Sequence, residues 1–204
     1  MNSLRARQKE DRRRRIAASA KTLFQEKGYE QTTIESIAEA AGVSGVTVHN
    51  YYGTKAGVLL ALVVESDELL IARLEETLPR EPEGLLPLTL EFARTIFDHA
   101  ISNLEKPVWR QVIAAVTLEA GTRLSEAYGK LDRRLAHVLV GRIEAMQAAG
   151  RLSPDIDAVH LGNALFNLVN ARFIEFVSDD ACPISTTETL LGNDLAALLA
   201  VGGR

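Results

Sequence analysis

Residues 12–60 read RRRRIAASAKTLFQEKGYEQTTIESIAEAAGVSGVTVHNYYGTKAGVLL, and the rhythm of apolar and capping residues in this stretch decides the fold. Ile16, Ala20, Leu23 and Phe24 recur at helical intervals, which predicts one buried face on a helix beginning near Asp11 or Arg12. Gly28 is placed to end that helix in a left-handed cap. Thr32 with Glu35 reads as a capping box for a second helix. Its Ile34, Ile37, Ala38 and Ala41 share a side, and Gly42 stops it. Ser44 is set to cap a short third helix from Gly45 to about Tyr51. Gly53 breaks it, and Thr54 opens a fourth. Helices this short do not hold alone, so the second and third need the first and the start of the fourth to close a core. Helix, tight glycine-containing turn, helix is a helix-turn-helix organisation.

A helix of about seven residues from Gly45 fits a DNA major groove, which admits one helix. Its outward residues must then be short or polar, as Gly45, Thr47, His49 and Asn50 are. Val48 and Tyr52, four apart, are expected to face inward against Ile37, Ala41 and Leu59. Charge supports an anionic partner for this segment. The 204-residue chain carries a net charge of -4, yet residues 1–60 hold ten Lys/Arg against six Asp/Glu, and residues 61–204 hold thirteen against 21. A basic head on an acidic body suits phosphate binding. It also suits an anionic membrane surface, so charge alone leaves both open. The Arg12 to Arg15 run reads either as a backbone contact or as a solvated helix face.

The pieces AAxxxxLFxxxGYxxTTxxxIAxxAGVS and then TVHNYYGTK, in this order and spacing over nearly 50 residues, resemble the DNA-binding segment of the TetR family of transcriptional regulators. The resemblance covers about a quarter of the chain. It implies that Gly45, Val46 and His49 face base edges. It also implies that Thr47, Tyr51 and Lys55 contact phosphate, with Asn50 nearby and Thr33 either touching phosphate or only capping its helix. Phosphate contacts fix register and base contacts specify sequence. The pair Gly45-Val46 stands where the family often has a longer residue followed by Gly or Ala, and His49 stands where Tyr is usual. Gly45 offers no side-chain hydrogen bond, Val46 suits a thymine methyl, and specificity is expected to rest on few direct contacts plus DNA shape.

The rest of the chain also reads as helices, so the expected fold is all-α: a three-helix head over residues 1–55 and a larger helical regulatory and dimerisation domain over residues 56–204. One long helix is predicted from Thr54 to about Leu78, then helices from about Leu85 to Ser102, from Pro107 toward Gly121, and from about Leu124 to Ala149. Ser153-Pro154 reads as N-cap and first-turn proline of a helix running to about Val177, and Ser185 with Glu188 as a capping box for a final helix to about Ala200. That makes nine helices.

One short recognition helix contacts little DNA, so two heads on two half-sites are expected. Gly162, Phe166, Val169, Phe173 and Phe176 form an apolar stripe, and Leu191, Leu195 and Leu198 another. The family dimerises through its last two helices, and these stripes suit that. Asn163, Asn167 and Asn170 are open to pairing across a dimer axis, capping a pocket or facing water. By resemblance residues 85–150 hold a small-molecule effector. The candidate lining is Phe92, Phe97, His99, Trp109, Arg110, Tyr128 and His137. The resemblance implies a homodimer bound to double-stranded DNA, most commonly a repressor released by its ligand, with an activator or corepressor-dependent regulator as the alternative. A cytoplasmic address is expected because the Arg-rich start lacks an apolar h-region and no apolar run approaches a bilayer-spanning length. No cofactor, metal, catalytic residue or membrane partner is expected. The chain has no glycine-rich phosphate loop and no HExxH, and its single cysteine, Cys182, cannot form an internal disulfide. A membrane-associated helical adaptor would have no use for the Thr47 to Lys55 constellation.

Overall fold

The computed structural model describes residues 4–65, 67–118 and 120–202. Among these, ten helices follow in order: α1 (Leu4–Gln31), α2 (Ile34–Ala41), α3 (Gly45–Tyr52), α4 (Lys55–Glu65), α5 (Asp67–Thr77), α6 (Leu85–Asn103), α7 (Lys106–Leu118), α8 (Arg123–Ala148), α9 (Ala158–Ser178) and α10 (Ile184–Gly202). The described residues contain no strand and no helix long and apolar enough to cross a membrane. The chain divides into two compact units, residues 1–66 with 104–128, and residues 67–103 with 129–204. The expected break at 55/56 gives way to one that keeps α4 and α7 with the head, because both pack on α1 and on each other. Of the expected helix from Thr54 to about Leu78, residues 55–65 and 67–77 are helical, and residue 66 between them lies outside the described residues.

In the first unit, α1 begins earlier than the apolar periodicity predicts. Residues 5–15 are rich in Arg, Lys, Gln and Glu, which are good helix formers, and Asp11 pairs with Arg14 and Arg15 one turn on, at 3.4 and 3.3 Å. Gly28 takes φ 77°, ψ 168°, an extended left-handed conformation and not the expected αL cap, and helix resumes for a short stretch after it. The second helix is capped one residue later than expected. The Thr33 hydroxyl accepts from Ser36 N and the Ser36 hydroxyl accepts from Thr33 N, both at 3.0 Å. Thr32 is fully buried instead, its hydroxyl donating to the carbonyls of Gly28 and Leu23. Gly42 at φ 64° ends α2, where only glycine enters without strain. Ile16, Ala20, Phe24, Ile37, Val48 and Leu59 form the core, all nearly inaccessible.

In the second unit, α6 packs on α5, α9 and α10, and α9 packs on α10. The start of α9 differs from the expected Ser153-Pro154 pair. Residues 154–156 are turn and bend, and Asp157 is the N-cap, its carboxylate accepting from His160 N at 2.9 Å. That bond holds the Asp157 carboxyl below its usual range. Ser185 lies inside the first turn of α10 and caps nothing, while Glu188 reaches Arg94 of α6 at 2.9 Å. Arg172 of α9 is held between Asp194 of α10 at 2.6 Å and Glu175 at 2.7 Å.

The apolar stripe expected to meet a partner subunit faces inward here. Phe166 meets Phe92 edge-on at 6.5 Å, and Phe173 and Phe176 pack on Phe97 at 5.3 and 6.0 Å. Gly162 lies against Val140 of α8. Phe92, Phe97, Leu191 and Leu195 are 0% exposed, and Gly162 and Val169 are buried too. Two sets of aromatics assigned separately, to an effector pocket and to a dimer face, therefore satisfy one another in the core of one chain.

Candidate nucleic-acid interface

Ser44 sets the direction of α3. Its hydroxyl accepts from Thr47 N at 3.2 Å and shares a hydrogen bond with the Thr47 hydroxyl at 2.9 Å. Gly53 terminates the helix at φ 75°, and Thr54 caps α4 by accepting from Gly57 N at 2.9 Å. With both ends fixed, an eight-residue helix can present only one face outward. Val48 and Tyr52 are buried, and the Tyr52 hydroxyl donates to the Arg13 carbonyl of α1 at 3.3 Å. On the opposite face Val46 is 68% exposed, and His49 and Asn50 are also exposed. An isolated valine facing water is unremarkable in a loop. On the outer face of a short capped helix, beside two polar residues, it is an apolar contact awaiting a surface.

His49 carries a further constraint. Its Nδ1 lies 2.6 Å from the Gly53 carbonyl oxygen. A carbonyl only accepts, so Nδ1 carries the hydrogen. In the neutral ring Nε2 is then an acceptor, suited to the amino group of adenine or cytosine in a major groove.

Beside α3 lies a cleft of about 750 Å³ whose walls include Arg12 and Arg13 of α1 and Thr47, Asn50 and Tyr51 of α3. Lys9 extends the basic wall. The Arg12 to Arg15 run thus divides by role. Arg12 and Arg13 line the cleft, whereas Arg15 donates to the Ala41 carbonyl at 3.0 Å and ties α1 to the end of α2. Lys9 precedes the predicted helix start near Asp11 or Arg12, so the apolar spacing gives no sign that it shares this wall.

The Lys55 ammonium donates to the Tyr29 carbonyl at 2.8 Å and sits 4.2 Å over the Tyr29 ring. The lysine neutralises the carbonyl end of α1 and stacks on an aromatic face, which ties α4 to α1. Thr33 is exposed and serves as the cap of α2.

The expected effector residues are divided. Phe92, Phe97, His99 and His137 belong to the second unit, and Trp109, Arg110 and Tyr128 to the first. Phe92 and Phe97 are core, Trp109 is 7% exposed, His99, Arg110 and Tyr128 are half-buried, and His137 is exposed. Of the dimer candidates only Leu198, at 60%, is exposed. Among the described residues no group of three or more His, Cys, Asp or Glu gathers as a metal site.

A family model described as bacterial regulatory proteins of the tetR family matches residues 16–62. The chain is 19% identical over 171 residues to the HTH-type transcriptional regulator UidR of Escherichia coli K12, covering 82% of this chain and 83% of that protein. Its fold is similar to that of Thermus thermophilus FadR, a TetR-family transcriptional repressor solved with lauroyl-CoA (TM-score 0.70, 25% identity, 92% of this chain and 93% of that one). It is also similar to a transcriptional regulator from Saccharomonospora viridis solved with choline (TM-score 0.62, 21% identity, 89% and 93%). A capped helix-turn-helix head with an exposed outer face, the family match over residues 16–62 and an all-helical body of the same fold lead to one conclusion: the head is that of a tetR-family DNA-binding regulator, and the chain as a whole shares the fold of the TetR-family structures to which it is similar.

Proposed function

We propose that the chain acts in the cytoplasm as a homodimeric repressor that holds a palindromic operator and releases it when a small molecule binds the larger unit. The observation that carries the DNA-reading half is the outer face of α3, with Val46, His49 and Asn50 exposed beside the Arg12–Arg13 cleft. In this reading Gly45, Val46 and His49 read bases, Gly45 by letting the helix come close. Thr47, Asn50, Tyr51, Arg12 and Arg13 hold phosphate, and Thr33 adds a hydroxyl at the start of α2.

Two classes of substitution separate these roles. His49→Ala is expected to lower affinity for the preferred operator about tenfold and to flatten preference at one base pair of each half-site. Arg12→Ala and Tyr51→Phe are expected to weaken every duplex alike, with Arg12→Ala lowering the salt slope by about one. Binding to a panel of operator variants at fixed and at stepped salt measures both. A uniform loss for His49→Ala would remove it from base reading.

Dimerisation is assigned to the outward faces of α9 and α10. Ile174, Leu190 and Leu198 are 39, 41 and 60% exposed, and large apolar side chains on adjoining helices suit a second copy. Leu198→Glu is expected to turn a micromolar dimer into a monomer in sedimentation equilibrium and to weaken operator binding with it. A wild-type monomer at that concentration would overturn the dimer. The sign of regulation is read from effector titration. A repressor of this kind loses operator affinity with its ligand, whereas a corepressor-dependent regulator gains it. FadR is described with lauroyl-CoA and the S. viridis protein with choline, so the relatives' ligands differ even in charge.

A further inference from the structure

The second unit carries a basic groove that DNA reading does not use. Lys130, Arg133, Arg134 and His137 stand at i, i+3, i+4 and i+7 on α8, so they share the face turned away from buried Leu139. With Arg142 and the α5 residues Ile71 and Glu75 they line a groove of about 780 Å³. Four Lys/Arg side chains converge there in the part of the chain where carboxylates outnumber cations 21 to thirteen. The one carboxylate of the groove, Glu75, is already engaged by Arg142 at 2.8 Å. The Arg142 Nε is buried without a hydrogen-bond partner among the described residues.

Gly141 is the second, independent observation. It lies in the groove wall in the interior of α8, it is exposed, and a Cβ built on it would meet nothing within 4 Å. Glycine inside a helix is destabilising relative to alanine, and no packing within the chain requires it here. A bare patch of helix beside four cations leaves room for a ligand to approach closely.

We infer that the α5–α8 groove binds a small organic anion bearing two or more phosphate groups. Three of the four cations are arginine, whose planar fork grips phosphate oxygens in pairs. The row from Lys130 to His137 spans about 10 Å at the helical rise, the reach of a linked pair of phosphates and not of one. Ile71 and buried Val138 supply an apolar strip for the remainder of the molecule. A nucleoside diphosphate and a phosphorylated coenzyme share this chemistry. That the groove is also the effector site rests on the regulator reading above, while the binding itself does not.

The test is isothermal titration of the full-length chain with ADP, coenzyme A and AMP at moderate salt. ADP or coenzyme A is expected to bind saturably, with AMP at least tenfold weaker. Preference for coenzyme A over ADP identifies the coenzyme as the source, and equal affinity identifies the shared diphosphate. The double variant R133Q/R134Q, both positions exposed, should lose about tenfold or more. Gly141→Ala should raise Tm by about 2–4 °C while weakening the same binding, opposite signs that a purely structural glycine would not give. No saturable binding at millimolar ligand, or unchanged binding in both variants, overturns the site. A loss of operator affinity in the ligand-free double variant also overturns it, by making the groove a DNA contact. Binding that leaves operator affinity unchanged keeps the site and removes only its effector role.

Discussion

Replacing Gly162 by alanine is expected to destabilise the protein by about 1 kcal/mol, even though alanine is the better helix former. A Cβ at this position would stand 2.6 Å from Val140 Cγ2 and 3.1 and 3.2 Å from the Val140 nitrogen and Cα. Valine is stiff about its first torsion, and the two backbone atoms cannot swing aside. Helix α9 must therefore move off α8, loosening buried Leu139, Ile143, Leu165 and Phe166 together. Overpacking of this kind costs about 1–3 kcal/mol, sometimes more, against a helix-propensity gain of about 1. The net should lower Tm by about 2–4 °C. Gly141→Ala, on the same α8 with open space around it, should raise Tm, so the pair forms an internal control read by thermal unfolding. A Gly162→Ala Tm equal to or above wild type would reject the close approach. If the variant instead kept its unfolding curve and lost only dimer in sedimentation, Gly162 would belong to the subunit interface, as its place in the apolar stripe first suggested.

That misassignment shows what is legible in one sequence. The head was readable because its determinants are local: Ser44, Gly42 and Gly53 act within a few residues, and the Ile37, Val48 and Leu59 core closes inside 50 residues. Periodicity correctly showed that α9 is apolar over a wide arc. It carries no sign of which arc meets the same chain, since Phe166 and Ile174 look alike until Phe92 and Phe97 arrive from α6. The same gap hid the protein partner of Lys55. Its spacing from α3 is local, but the Tyr29 carbonyl that receives its ammonium is 26 residues away. Thr32 and Thr33 were exchanged for a related reason. Both can cap, and burial beneath Leu23 and Gly28 decides which of them does. The basic row of α8 was visible as residue types, yet it becomes a groove only when α5 supplies the other wall.

Asp132→Asn is expected to stabilise the protein by as much as about 3 kcal/mol at neutral pH, and by almost nothing near pH 4. Asp132 lies on α8 seven residues before Leu139 and three or four before Leu135 and Ala136, so it rides on the stripe that enters the core. Burial pushes its carboxyl up from the ordinary value of 3.8 to about 6, and the charge of adjacent Arg133 only partly opposes this. Between those two values the folded chain holds a proton that the unfolded chain has released. Stability contributed by this group is therefore present at acid pH and falls as pH rises through the window. Above about pH 6 the full cost of an ionised, poorly solvated carboxylate is carried. Asparagine keeps the shape and removes the charge. The carboxyl of Asp157, held low by its cap, acts in the opposite sense as pH falls, so the informative quantity is the difference in Tm between variant and wild type at each pH. That difference should grow from near zero at pH 4 to about 6–12 °C at pH 7.5. A gap that does not change with pH would show that Asp132 titrates alike in the folded and unfolded chain and that its side chain reaches water.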